Sequence, residues 1–433
     1  KIRPHQTKAL KNWKDNGFNG IFEHVTGSGK TITAIYGICK FAEHEKTAVI
    51  ISVPYISLAD QWVDELKAFN IMPIQCYESS NKWFSTAEQS IARFASRPLD
   101  KSYLLVLVVV NKTLNSEKFQ SVISQLNKDN LIYIGDECHR YAKKGGTSKL
   151  PKAEYRLGLS GTPFSDSEFD VEGNEELINF FGRGHDIFTI KMAMAQGALC
   201  EYFYYPISIY LSEEEYERYT ENVGKIHLVS KDSDSSDLNM AAIAEMSRAL
   251  GSAQDKFIQL RKLLRNEGMS GRSIVFCGDG STELESLSLD LSESENKDRE
   301  NANAVLQEQN IICNYFTSEE SSKRRREILK DFTQGDTQCL ISIRVLDEGI
   351  DVPGVESAYL LASSRNRRQY IQRRGRVLRK SDEKEFSKIY DFICLPPKDI
   401  NKSAIVDGEI KRLIEMTDDS KNKDDNIKFI KKL

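Results

Sequence analysis

No stretch of this 433-residue chain holds the roughly 20 consecutive apolar residues that a membrane-spanning helix requires. The N-terminus lacks the basic-then-apolar pattern of a secretory signal. The chain starts at Lys1 without Met, so further sequence beyond its ends is expected. Eight cysteines (39, 76, 138, 200, 277, 313, 339 and 394) include no C-x-x-C pair. That argues against structural zinc and against a disulfide framework, and fits a reducing, cytoplasmic setting. Neither sign of charge predominates: 60 Lys and Arg stand against 64 Asp and Glu, a net −4. The balance leaves nucleic-acid binding open, because a local basic groove is enough for it. The length is sufficient for two or three domains, each burying its own core.

What the chain does contain is a phosphate loop. The apolar run at residues 20–25 reads as a buried strand, and residues 32–39 read as the start of a helix. Between them lie Thr26, Gly27, Ser28, Gly29, Lys30 and Thr31. A glycine-rich turn at a helix N-terminus aims successive N–H groups at an anion. Lys30 would reach the β- and γ-phosphates of a nucleotide, and the Thr31 hydroxyl would hold Mg²⁺. The strict pattern has glycine at position 24, where this chain has His24.

The rest of the front half supports that loop. Arg3-Pro4-His5-Gln6 precedes a helical stretch, and the Gln6 amide can donate to and accept from adenine together. Residues 47–53 and 104–110 are β-branched or fully apolar, as in a parallel sheet covered on both faces. Pro54 closes the first of these, and Ser57 is placed to cap a helix over 58–69. Residues 131–134 then run into Asp136 and Glu137. Carboxylates there sit at the carboxyl end of a strand, the edge where open α/β sheets bind ligands. Asp136 is suited to Mg²⁺ and Glu137 to orienting or deprotonating the attacking water. Residues 155–163 repeat the strand-then-hydroxyl layout, and Ser160 and Thr162 can link the nucleotide pocket to the next domain.

From residue 201 the character changes. Tyr202-Phe203-Tyr204-Tyr205-Pro206 reads as an extended connector whose aromatics pack rather than stack on bases, followed by charged helical sequence. A second α/β unit begins near residue 272, with strands expected at 273–277, 311–316, 338–343, 357–361 and 388–392 and a helix over 319–332. Residues 278–300, rich in Ser, Asp and Glu, read as a surface insertion. No second phosphate loop occurs, so one nucleotide site serves both units. Two later segments carry chemistry. Residues 347–353 put carboxylates on a strand-end loop, where Asp351 could bond a ribose hydroxyl. Seven arginines fall between Arg365 and Arg379, and Arg376 and Arg379 are spaced one helical turn apart. Two guanidinium groups suit a phosphoryl transition state, although a solvated basic helix or a backbone-phosphate contact has the same composition.

In this order the motifs resemble those of the superfamily 2 helicases and translocases, from Arg3 to Arg379. Gln6 matches the adenine-reading motif, Thr26 to Thr31 the phosphate loop, and Val53-Pro54-Tyr55-Ile56-Ser57-Leu58 the first nucleic-acid-backbone motif. Asp136-Glu137-Cys138-His139 looks like a DExH box, and Ser160-Gly161-Thr162 stands where Ser-Ala-Thr is usual. Gly349 and Asp351, and Gln372 to Arg379, match the late motifs. The resemblance implies an α/β fold of two RecA-like domains. The expected boundaries are 1–200 and 269–398, with a helical connector at 201–268 and a tail at 399–433. It implies ATP and Mg²⁺ as ligands and makes Lys30, Asp136, Glu137, Gln372, Arg376 and Arg379 the hydrolytic set. Arg3, Gln6, residues 26–31, Gly349 and Asp351 would bind nucleotide, and Pro54 and Arg365 nucleic acid. The DECH box and the late arginine motif look closest to DNA motors of restriction, phage defence and repair, which favours DNA over RNA and a nucleoid-associated location. An RNA helicase or RNA-sensing ATPase is the enzymatic alternative, and an ATP-gated clamp without turnover the non-enzymatic one. No nuclease or methyltransferase motif is evident, so such an activity would reside in a partner subunit or in sequence beyond this chain.

Overall fold

The computed structural model describes residues 2–98, 102–165, 171–229, 246, 250–251, 253–277, 292–317, 320–342, 352, 354–362, 367–381, 384–400 and 404–433. The chain divides into two units, residues 1–195 and 196–433.

The first unit is built on seven strands: β1 (Asn19–His24), β2 (Lys46–Val53), β3 (Ile74–Cys76), β4 (Tyr103–Val110), β5 (Leu131–Asp136), β6 (Tyr155–Ser160) and β7 (Gly184–Phe188). Their spatial order is β3-β4-β2-β5-β6-β1-β7, with every pairing parallel. Because side chains alternate between faces, β2, β4 and β5 feed two cores. Val49, Ile51, Val106, Val108, Ile132 and Ile134 join one cluster, while Ile50, Leu105, Leu107, Leu131 and Tyr133 join the other. This explains the unbroken apolar runs read from the sequence. All carboxyl ends lie on one edge, and β6 sits between β1 and β5. The loops after β1, β5 and β6 are therefore neighbours. The helix expected to be capped by Ser57 instead spans Ile56–Ala68, with extended Tyr55 at its N-cap. Pro54 closes the strand where expected, but the helix starts at Ile56, so Ser57 falls inside its first turn.

The second unit has six strands: β8 (Glu201–Tyr210), β9 (Ser273–Phe276), β10 (Cys313–Phe316), β11 (Cys339–Ser342), β12 (Ser357–Leu360) and β13 (Phe386–Leu395). The order is β10-β11-β9-β12-β13-β8, again all parallel. Residues 201–210, read from sequence as a connector, are thus an edge strand paired with β13 along ten positions. Tyr202 and Tyr204 are fully buried and Tyr205 stacks on Tyr390, with ring centroids 5.1 Å apart. The tetrad therefore packs, as expected. Residues 292–300 belong to the helix Ser292–Gln307, whose Ala302, Val305 and Leu306 enter the core. Its apolar residues all fall after position 300, so a window stopping there read it as insertion. The helix expected over 319–332 is found at Ser322–Gln334, capped by the Ser321 hydroxyl. Residues beyond 399 form the helices Ala404–Asp418 and Lys423–Ile430, packed on β8 and β13.

Candidate nucleotide and nucleic-acid site

The loop after β1 carries Gly27 at φ +84° and Gly29 at φ +89°, left-handed conformations that favour glycine. Gly29 is the N-cap of the helix Lys30–Ala42, so Lys30 and Thr31 open that helix and its N-terminal N–H groups face the loop. A Cβ on Gly29 would come within 2.8 Å of Gln6 Nε2. Gln6 is held there at both ends of its amide: Nε2 donates to Gly29 O (3.2 Å), and Oε1 accepts from the Arg3 N–H (2.7 Å). Lys30 Nζ donates to the carbonyl of His24 (2.9 Å).

His24 is completely buried, and its Nε2 lies 2.8 Å from Asp186 Oδ1. Burial holds His24 below the usual imidazole range, against the pull of Asp186. It therefore donates Nε2–H as a neutral ring. Asp186 comes from β7, 162 residues away in sequence, so no local pattern could have revealed it. His5 stacks on Phe188 with centroids 4.0 Å apart and places Nε2 3.0 Å from Ser28 O. Side chains from the first helix and β7 thus support both walls of the loop.

Asp136 ends β5 and Glu137 follows at φ +50°, a left-handed conformation that is strained for a residue with a side chain. Asp136 accepts from Trp62 Nε1 through Oδ2 (2.7 Å) and from the Glu137 N–H through Oδ1 (2.9 Å). Burial first and Glu137 second push its carboxyl up to about 6, against Trp62 and the cation of Lys30. His139 Nδ1 lies 3.3 Å from Glu137 Oε2 and 3.0 Å from Ser160 Oγ. Ser160 Oγ in turn accepts from the Thr162 N–H (3.1 Å). The carboxylate pair and the Ser-Gly-Thr loop are thereby linked through His139. Arg140 bonds the hydroxyl of Tyr55 and lies over its ring, 4.6 Å from the centroid. Trp62 was missed as a participant because it belongs to an otherwise ordinary amphipathic stretch, and the contact between Tyr55 and Arg140 joins residues 85 apart in sequence.

An oxygen-only set suits Mg²⁺, which typically takes one or two protein groups and fills the rest of its sphere with water and substrate phosphate. Asp136 and Thr31 are the residues that would hold it, and among the described residues no cluster of three or more His, Cys, Asp or Glu offers a competing site.

In the second unit, the helix Arg367–Val377 follows the carboxyl end of β12 and buries Gln372, Arg373, Arg374 and Arg376. Arg373 lies over Phe276, 5.0 Å from its centroid. Arg374 Nη1 donates to Tyr202 OH (3.1 Å) and Glu415 O (3.0 Å). Arg367 pairs with Glu415 through two contacts of 2.9 and 3.0 Å, and Tyr370 OH donates to the same carboxylate (2.5 Å). Three of the seven arginines therefore have structural work within the unit. Arg379 does not share the helix with Arg376 as the spacing suggested. The helix stops at Val377, the Arg379 N–H turns back to Arg376 O (3.3 Å), and Arg379 forms a bridge with Leu199. Burial pulls Arg379 down to about 10, so it stays charged at neutral pH. Gly349, Asp351 and Arg365 lie outside the described residues.

Comparisons with known proteins agree with the fold of two parallel α/β units. A family described as type III restriction enzyme, res subunit matches residues 1–165, and the helicase conserved C-terminal domain matches residues 255–381. The chain is 25% identical over 406 residues to a DNA 3'-5' translocase XPB2 of Sulfurisphaera tokodaii, covering 88% of this chain and 79% of that one. It is 24% identical to a putative DNA 3'-5' helicase Rad25 of Haloarcula marismortui, spanning 88% of this chain and half of the relative. A type I restriction enzyme endonuclease subunit of Staphylococcus saprophyticus is 24% identical over 45% of this chain and 21% of its own length. Among solved structures, the DNA-bound type ISP restriction-modification enzyme LlaBIII superposes with a TM-score of 0.59 at 17% identity, over 93% of this chain and 28% of that one. The Hef helicase domain of Pyrococcus furiosus gives 0.52 at 15%, covering 91% and 95%. Two parallel α/β units, with a res-subunit match at the front and a helicase C-terminal match at the rear, agree with the resemblance to the superfamily 2 helicases and translocases carried by the motifs.

Proposed function

We propose that this protein is an ATP-dependent translocase or helicase that moves along DNA in restriction, phage defence or repair. The observation that carries the reading is the convergence of the phosphate loop, the Asp136–Glu137 pair and Ser160 on one edge of the first sheet, with His139 joining Glu137 to Ser160. The DNA-acting relatives support the choice of substrate.

ATP would lie on the loop of Gly27 to Thr31, its adenine read by Gln6 and its phosphates met by the helix N-terminus and Lys30. Lys30, released from the His24 carbonyl, neutralises phosphate charge. Asp136 and Thr31 would hold Mg²⁺, which would supply charge neutralisation at the phosphates. Glu137, steadied by His139, orients the attacking water and takes its proton. Arg376 and Arg379 stabilise charge on the transferred phosphoryl group, so turnover requires the second unit as well as the first. Pro54 and Arg365 would touch the nucleic-acid backbone, and salt should weaken the binding. A nuclease or methyltransferase partner fits the restriction-type relatives.

Phosphate release measured with duplex DNA, single-stranded DNA and duplex RNA tests the proposal. Stimulation by duplex DNA above both others is expected. Preferential stimulation by duplex RNA would replace the reading with an RNA-sensing ATPase, and nucleotide binding without release would indicate a clamp.

A further inference from the structure

We infer that the helix Ile56–Ala68 reports nucleic acid bound at its start to the hydrolytic carboxylates, with Tyr55 and Trp62 as its two positioning residues. The inference rests on the function proposed above, with residues 54–58 at the nucleic acid and Asp136 and Glu137 at the phosphate.

The helix grips the DECH segment at both ends. At its N-cap, the Tyr55 hydroxyl accepts from Arg140 and the Tyr55 ring lies under that guanidinium, 4.6 Å from its centroid. About two turns further on, some 10 Å along the axis, Trp62 Nε1 donates to Asp136 Oδ2 at 2.7 Å. Arg140 and Asp136 bracket Glu137, whose left-handed backbone is the strained point between them. Leu58, Ala59, Val63 and Leu66 are buried along the same helix, so it moves as a rigid piece or not at all. A displacement at Tyr55 is therefore delivered to Asp136 through a charge-assisted hydrogen bond in a dry environment, where such bonds are strongest.

The three tryptophans show that the Trp62 bond is not merely what a buried indole demands. Trp13, 3% exposed, gives its N–H to a backbone carbonyl, that of Arg156 (3.1 Å). Trp83, also 3% exposed, has no hydrogen-bond partner for its N–H. Only Trp62 directs its N–H at a carboxylate of the hydrolytic pair.

Coupling of this kind is reciprocal: whatever factor DNA adds to nucleotide binding, nucleotide adds to DNA binding. The test uses the full chain as wild type, Trp62→Phe, Tyr55→Phe and, as a matched control, Trp13→Phe. Two quantities are read. One is the ratio of ATP turnover with and without a linear duplex DNA. The other is the ratio of DNA affinities with and without a non-hydrolysable ATP analogue and Mg²⁺. Trp62→Phe should cut both ratios at least tenfold, Tyr55→Phe should cut them less, and Trp13→Phe should leave them unchanged. Tyr55 is half-buried, so it tests the far latch even if Trp62→Phe compromises folding. Ratios within twofold of wild type in both latch variants would overturn the inference, as would an equal loss in Trp13→Phe. A wild-type chain that DNA does not stimulate would instead fail the function on which the inference rests.

Discussion

Replacing Arg412 by Met should loosen the second unit and leave the first intact. Arg412 lies on the helix Ala404–Asp418 with a side chain 4% exposed, between Asp391 (3.1 Å) and Glu409 (2.5 Å), themselves 1% and 0% exposed. Burial alone would lower the guanidinium's proton affinity, but Asp391 and Glu409 outweigh it and hold it well above the usual range. Tyr204 OH also donates to Asp391 (2.8 Å), which ties β8 into the cluster. Removing the one cation leaves two buried carboxylates uncompensated, a loss of about 3–5 kcal/mol. With a urea slope of about 3 kcal/mol per molar for a unit of this size, the midpoint should fall by roughly 1–1.7 M. The assay exploits composition: Trp13, Trp62 and Trp83 all lie in the first unit, so tryptophan fluorescence follows that unit alone while circular dichroism follows both. The dichroism transition should split toward lower urea with fluorescence unchanged. An unchanged dichroism transition, or a joint shift of both signals, would refute the reasoning that this cluster braces the second unit by itself.

The remaining expectations concern the site. Asp136 must be ionised to hold a cation, so ATP turnover should fall as pH drops through about 6, and higher Mg²⁺ should move that limb to lower pH. The raised carboxyl has the opposite effect on folding: the extra proton stabilises the folded first unit at low pH, and this contribution is lost as pH rises through about 6. Gly29→Ala should weaken nucleotide binding by at least about 1–2 kcal/mol, because φ of +89° strains any side chain and the new Cβ presses on Gln6; isothermal titration would show it. Glu415→Ala should lower turnover with little change in KM for ATP, since Arg367 and Tyr370 of the arginine helix both fasten to the Glu415 carboxylate; steady-state kinetics separate the two parameters.

The central strands of the first sheet were legible because β2, β4 and β5 are buried on both faces and therefore read as continuous apolar runs. The phosphate loop and Asp136-Glu137 were legible because their chemistry fixes residue types at short spacing. Partnerships across long separations were not. His24 meets Asp186, Trp62 meets Asp136 and Arg374 meets Glu415 only after the sheet order is set. The region around residues 201–210 misled for a physical reason: an edge strand with alternating aromatics looks like an extended linker until its partner is known. The same holds for residues 404–430, whose charged surface hides Arg412 and Glu409 pointing inward.

The central claim is that bound ATP is hydrolysed only with help from arginines of the second unit. Turnover of Arg376→Ala in the presence of duplex DNA, measured alongside its affinity for ATP, tests it most directly. The account predicts a fall on the order of 10³-fold in rate with nucleotide affinity kept within a few-fold of wild type; near-wild-type turnover would contradict it.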